Sequence, residues 1–299
     1  MTHWIPAFAI LVACLVLTGC ARHYNDPGRD SVLPDNGFRE LREQRFSPPN
    51  WPQALYADVY IPDGERAAWP GVLVVHGGGW EGRGRDDMTG ISRRLADRGF
   101  VAVNIDYRFA PDFRFPAQVH DLQVALAWMR DEAERLRIDP DRIAGLGYSS
   151  GAHLVALAGL VAGTGSSLNE EYGPEGRGFF GVVAGGIPSD FSLFNDGRLI
   201  RQLIGAPRAE APEAYRAASP IEHAHADAPP FFLFHGALDQ LVPFEHAEVL
   251  HEALLAHGVH AELYRMRLRG HLGAFVFRGG AVRQAASFLH AMAEREERG

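Results

Sequence analysis

Short, continuous apolar runs separated by amphipathic stretches set the pattern of this chain. Gly71-Val72-Leu73-Val74-Val75, Phe100 to Ile105, Arg142 to Leu146, Gly181 to Gly186 and Phe231 to His235 are each too short for a typical helix. Runs of this kind predict strands buried on both faces of a parallel sheet. Ala54 to Pro62, ALYADVYIP, alternates instead, as a half-exposed strand does, and Ala261 to Met266 completes the set. Between them lie helical stretches: Gly90 to Gly99, Pro116 to Leu136, His153 to Ala158, Glu245 to His257 and Val282 to Arg295. Strands alternating with helices predict the α/β class, with one doubly wound, mostly parallel sheet and right-handed crossovers. No internal repeat and no second domain breaks the pattern.

The N-terminus departs from it. Residues 1 to 19, MTHWIPAFAILVACLVLTG, carry no formal charge, and their apolar stretch is short for a membrane span. The stretch ends in Leu17-Thr18-Gly19-Cys20, which resembles a bacterial lipoprotein box. The resemblance implies cleavage before Cys20 and lipidation of its thiol. His3 stands where secretory signals usually carry Lys or Arg. The expectation is a signal peptide over 1–19 and a lipid-anchored protein of the bacterial cell envelope, on the periplasmic face or the outer membrane. Residues 20–50 are polar and rich in Pro, Gly and Asn, and read as a tether. The folded α/β domain is expected over residues 51–299.

Composition narrows the function. The chain has 299 residues, 46% of them apolar, which suffices for one sizeable core. A net charge of −8 with no basic run argues against nucleic-acid binding, which needs a positive face. The two cysteines are Cys14, inside the leader, and Cys20. A chain starting at Cys20 would have neither a free thiol nor a disulfide, so cysteine catalysis and a zinc–thiolate site are not expected.

The segment RIAGLGYSSGAHLVALAGL, residues 142 to 160, contains the sharpest chemical signal. An apolar strand, Gly147-Tyr148-Ser149-Ser150-Gly151, and then a helix-forming run match a nucleophile elbow, G-x-S-x-G. Only Ser149 has glycines at both required spacings; for Ser150 those positions hold Tyr148 and Ala152. By itself the pentapeptide is weak, since glycine and serine also crowd ordinary turns. His76-Gly77-Gly78-Gly79-Trp80 strengthens it. Three glycines directly after a buried strand let backbone N–H groups turn toward a ligand and hold a developing oxyanion. Gly77 and Gly78, with the N–H of Ser150, are the candidate oxyanion hole.

These motifs, with D-Y-R at 106 to 108, F-P-A at 115 to 117, and Asp121, resemble α/β-hydrolases of the hormone-sensitive-lipase-like group. They are also similar to feruloyl- and acetyl-ester hydrolases and kynurenine formamidases. The resemblance covers about residues 54 to 295. It implies an α/β-hydrolase fold with a small helical cap, a triad in the chain order Ser, Asp, His, no cofactor, and a small ester as substrate. Asp239, in HGALDQLVP just past the Phe231 run, and His271, in RGHLG just past the last strand, fill the remaining triad positions. The elbow reads G-Y-S-S-G-A where the lipase-like group reads G-D-S-A-G-G, which is closer to the formamidase and feruloyl-esterase side.

The expected activity is a serine carboxylic-ester hydrolase on short-chain or aryl and acetyl esters. The alternatives are an amide hydrolase such as an arylformamidase on the same triad, or a catalytically dead, lipid-anchored binding module. Among the other histidines, His246, His251, His257 and His290 fall in helices, where solvated faces explain them. His223 and His225 lack metal-ligand partners, and His153, four residues past Ser149, reads as packed. The segment from Ser189 to Ala224 is the insertion that would roof the site, with Phe191, Leu193, Phe194, Leu199, Ile200, Leu203 and Ile204 as its apolar face.

Overall fold

The computed structural model describes residues 21–29, 33–169, 171–174, 176, 178–276 and 278–298. The expected signal segment, residues 1–19, and the expected lipidation site Cys20 lie outside the described residues. The described residues form nine strands: β1 (Ala21–Tyr24), β2 (Phe38–Arg45), β3 (Tyr56–Pro62), β4 (Trp69–Val75), β5 (Val101–Ile105), β6 (Ile138–Tyr148), β7 (Val182–Gly185), β8 (Phe231–Gly236) and β9 (Ala261–Met266). They make one sheet in the order β1-β9-β8-β7-β6-β4-β5-β3-β2. Six neighbouring strands, β5-β4-β6-β7-β8-β9, run parallel, while β1, β2 and β3 pair antiparallel at the two sides.

Alternation along β4 explains the two layers. Leu73 and Val75 enter one apolar cluster, Val72 and Val74 the other, because successive side chains leave a strand on opposite faces. The first cluster is closed by α2 (Ala117–Asp131), α4 (Ser150–Val161) and α7 (Glu245–Ala256). The second is closed by α1 (Thr89–Asp97) and α9 (Gly279–Arg298). A short α3 (Ala133–Leu136) follows α2, so the expected single helix to Leu136 is two. Arg137, in the left-handed region, ends the second piece. Each buried Val, Leu or Ile contributes on the order of 1.5–3 kcal/mol, so these clusters are the main support of the sheet.

The chain turns to β5 on one side of β4 and then returns to β6 on the other. The carboxyl ends of β4 and β6 therefore flank the topological switch point, where open α/β sheets build their ligand sites.

The tether expected over residues 20–50 is corrected by the structure. Ala21–Tyr24 and Phe38–Arg45 are the outermost strands of the sheet. Their polar composition reflects edge positions, where half of each strand faces water, and not a chain free of the domain. Buried Glu262 on β9 fastens the first of them: His23 Nε2 donates to it at 2.9 Å and Arg29 at 2.8 Å.

Candidate active site

Ser149 sits at the end of β6 with φ 54° and ψ −122°, a strained backbone for a residue with a side chain. The fold pins it there. Its N–H donates to Gly185 O at 2.7 Å, and the adjoining helix begins at Ser150. The flanking glycines are steric requirements. A Cβ on Gly151 would overlap the carbonyl oxygens of Val75 and His76, and one on Gly147 would overlap the backbone of Gly151. The turn closes only because neither residue has a side chain, which accounts for the G-x-S-x-G spacing.

The loops after β8 and β9 supply two more side chains. Asp239 and His271 lie 32 residues apart in sequence, and His271 Nδ1 stands 2.6 Å from Asp239 Oδ2. His271 Nε2 stands 2.9 Å from Ser149 Oγ. The three residues thus form one hydrogen-bonded chain. Burial alone would push the Asp239 carboxyl up. Hydrogen bonds from His235 and His271, with backbone N–H groups of Leu241 and Val242 on the other oxygen, hold it well below the usual carboxylate range. An ionised Asp239 accepts from Nδ1–H, which leaves Nε2 of a neutral imidazole free to accept the Ser149 hydroxyl.

Gly77, Gly78 and Gly79 face this chain across the cleft. Gly77 lies so near that a Cβ on it would stand 3.2 Å from Ser149 Cβ. Gly78 and Gly79 have φ values of 126° and 64°, which only glycine adopts without strain. Ser150 opens α4, so its N–H belongs to the first turn, whose donors have no acceptor inside the helix.

Two supporting histidines carry roles that sequence reasoning left unassigned. His76 is fully buried and stacks on Tyr107, with ring centroids 4.5 Å apart. Burial pushes it down to about 4, so it is neutral at pH 7, and its Nδ1–H donates to Gly77 O at 2.6 Å. A planar trans peptide points its C=O and N–H in opposite senses, so this bond turns the N–H of Gly78 away from His76. His235 Nε2 donates to Val242 O at 2.9 Å and also stands 3.4 Å from Asp239 Oδ2. Adjacency to the two motifs was the available signal for both.

Other histidines are placed differently from expectation. His246 and His251 are buried and not on solvated helix faces. His246 accepts from Asp190 N–H at 3.3 Å, and His251 faces Ala261 O at 3.2 Å. The hydrogen bonds they make to the chain offset the cost of burying them. His153 is buried, as its place on the elbow helix suggested. Among the described residues, no group of three or more His, Cys, Asp or Glu side chains is arranged to hold a metal ion.

A cavity of about 700 Å³ opens onto Ser149 and His271. Its apolar walls include Phe194, Leu199, Ile200, Leu241, Leu272 and Phe275. The roof between Ser189 and Ala224 is two short helices, α5 (Arg198–Ile204) and α6 (Pro212–Ala217), with two 3₁₀ turns. Arg198 on the roof meets Glu81 of the glycine loop at 2.6 Å. Phe191 does not face the cavity; it packs inward against His153 and Trp80.

The fold recurs in known proteins. The chain is 33% identical over 199 residues to the esterase LipC of Mycobacterium tuberculosis, covering 62% of this chain and 48% of that protein. It spans about half the length of the curated relatives it matches. A truncated carbohydrate esterase from gut microbiota superposes with a TM-score of 0.78 at 23% identity, covering 88% of this chain and 99% of that one. Butyrate-bound esterase 2 of Thermogutta terrifontis superposes with a TM-score of 0.69 at 23% identity, covering 87% and 95%. These likenesses establish the α/β-hydrolase fold. Residues 57–254 match the BD-FAE family, a span that runs from within β3 to within α7 and includes the glycine loop, the elbow and Asp239, and the chain belongs to that family.

Proposed function

We propose that this chain is a serine carboxylic-ester hydrolase working through an acyl-enzyme. The observation that carries the reading is the unbroken chain Ser149–His271–Asp239 at 2.9 and 2.6 Å, opening on an apolar cavity. Ser149 Oγ attacks the ester carbonyl carbon while His271 Nε2 takes its proton. Asp239 accepts from Nδ1–H throughout and stabilises the imidazolium. The carbonyl oxygen, now negative, is held by N–H groups of Gly77, Gly78 and Ser150, each such donor being worth about 3 kcal/mol of barrier. Return of the proton from His271 to the leaving oxygen releases the alcohol, and water repeats the cycle to free the acid and restore Ser149. Esterase names among the relatives, and the butyrate held by the Thermogutta enzyme, support this reading.

The substrate is a short-chain, aryl or acetyl ester. Each further buried methylene gains about 0.8 kcal/mol only while apolar wall remains to receive it. The small two-helix roof contributes Phe194, Leu199 and Ile200 to that wall. The testing experiment is a panel of p-nitrophenyl esters from acetate upward, with feruloyl esters, acetylated sugars and N-formylkynurenine. Highest kcat/KM on acetate to butyrate is expected. An optimum on long acyl chains refutes the short-chain assignment, and turnover of N-formylkynurenine alone moves the reading to an amide.

The leader and Cys20 support a second element of the proposal, a lipid anchor in the bacterial cell envelope. Cys20→Ser is expected to release active enzyme into the aqueous fraction. Unchanged membrane association of that variant refutes the anchor.

A further inference from the structure

Large apolar side chains exposed on the described surface concentrate in one place. Leu238 is 60% exposed, Leu241 59%, Leu268 59%, Leu272 74% and Val276 63%. The first two flank Asp239 after β8. The other three flank His271 after β9, on the loop and on α8 (His271–Val276). The two loops are fastened to each other: Ala237 N–H donates to Met266 O and Leu238 N–H to Arg269 O, both at 2.9 Å. Gly236 allows that approach, since a Cβ there would overlap Arg269 O. These apolar groups therefore stand on a firm support. Leu241 and Leu272 also line the cavity, so the patch continues into the site. An apolar surface gathered in this way marks an interaction face.

Two observations identify what covers it. The first is where the rest of the chain attaches. Ala21, the first residue of β1, pairs with Met266 at the carboxyl end of β9. The uncharged residues 1 to 20 therefore join the domain at the end of the sheet that carries His271, two positions along the facing strand from Leu268. The second is charge. The chain carries −8 overall, yet Leu263 to Ala293 contains five arginines and no Asp or Glu. Arg22 and Arg267 are exposed beside the patch. Apolar side chains bordered by arginines suit a bilayer interface with anionic headgroups. A neutral sugar offers no anion to the arginines, and a second copy meeting the first through this same patch would set arginine against arginine.

We infer that Leu238, Leu241, Leu268, Leu272 and Val276 rest on the lipid surface that holds the N-terminal segment. The mouth of the Ser149 site then opens toward the bilayer and receives amphiphilic esters that partition into it. The inference rests on the esterase and anchor readings above.

The test uses the full-length chain in vesicles of phosphatidylethanolamine and phosphatidylglycerol. A bimane label is placed on Leu268→Cys or, at the opposite end of the sheet, on exposed Asp141→Cys. Wild-type protein carried through the labelling gives the blank for Cys14 and Cys20. Doxyl lipids are expected to quench the label at position 268 and leave that at 141 bright. A second measurement uses Leu238→Glu with Leu268→Glu, both outside the cavity wall. Turnover of soluble p-nitrophenyl acetate is expected to persist, while turnover of a bilayer-embedded ester of equal acyl length falls about tenfold as interfacial contact is lost.

Equal quenching at both positions, or none at 268 while the protein floats with vesicles, overturns the orientation and leaves the anchor standing. Recovery in the aqueous fraction overturns both. Parallel loss on both esters overturns the substrate class, and absence of p-nitrophenyl acetate turnover in wild type overturns the esterase reading itself. A dimer that shields position 268 without lipid overturns the inference in favour of self-association.

Discussion

The indole N–H of Trp80 donates to Nδ1 of His153 at 3.2 Å, and this bond couples the glycine loop to the elbow helix. On its other side His153 Nε2–H donates to Ala218 O at 2.6 Å, and the ring stacks on Phe191 at 5.0 Å. Burial pushes His153 down to about 4, so it is neutral at pH 7 and both nitrogens keep these roles. One side chain thereby fixes the glycine loop, the elbow helix and the roof together.

His153→Leu leaves the buried Trp80 N–H without an acceptor, a cost of about 1–3 kcal/mol. A lowered Tm and a roughly tenfold fall in kcat are expected, because small displacements of a positioned loop are expensive. His153→Gln retains an acceptor and a donor and should recover part of both. Unchanged kcat in the Leu variant would remove His153 from the positioning of the loop.

Ser149 and Ser150 separate by chemistry. Ser149→Ala should lower ester turnover at least about 10⁴-fold, as loss of a triad member does. Ser150→Ala should retain most of it, because the proposed contribution of that residue is its backbone N–H. A fluorophosphonate probe followed by peptide mapping should label Ser149 alone; modification of Ser150 in the intact protein would transfer the nucleophile.

Gly151→Ala tests the elbow by volume. The added Cβ has no space against the carbonyls of Val75 and His76. Overpacking of this kind typically costs about 1–3 kcal/mol, and here backbone must move. Thermal unfolding and probe labelling should both report damage. Gly82→Ala, where a Cβ meets open space, is the control expected to resemble wild type.

The N-terminal clamp predicts an acid limb of stability. Burial would raise the Glu262 carboxyl, but hydrogen bonds from His23, His260 and Arg29 outweigh it and bring it down to about 2. A depressed carboxyl binds its proton less readily folded than unfolded. Its stabilisation is therefore complete above the ordinary glutamate value of about 4.3 and is lost as pH falls toward 2. Glu262→Gln should lower Tm at pH 7 and flatten its decline between pH 5 and pH 3. Parallel Tm curves for the two proteins across that range would refute the clamp.

Much of this protein was determined by local sequence. The β-branched run at Val72–Val75 is a central strand because its pleat buries both faces, and no neighbour is needed to predict that. The glycines at 147 and 151 announce the elbow because a Cβ at either would block the turn. Asp239 and His271 were legible by their place after predicted strands, together with the resemblance that supplied their order. Polar edge strands carry no such signature. Ala21–Tyr24 and Phe38–Arg45 look like linker until the sheet offers them a partner, since an edge buries only part of its side chains. The burial of His246 and His251 was equally hidden, because helical spacing does not say which face of α7 meets β9. Tertiary structure alone brought Ser149, Asp239 and His271 to within hydrogen-bonding distance across 122 residues of chain. It alone set Leu238 beside Leu268, because loop-to-loop contact depends on the register of β8 against β9, which no local pattern encodes.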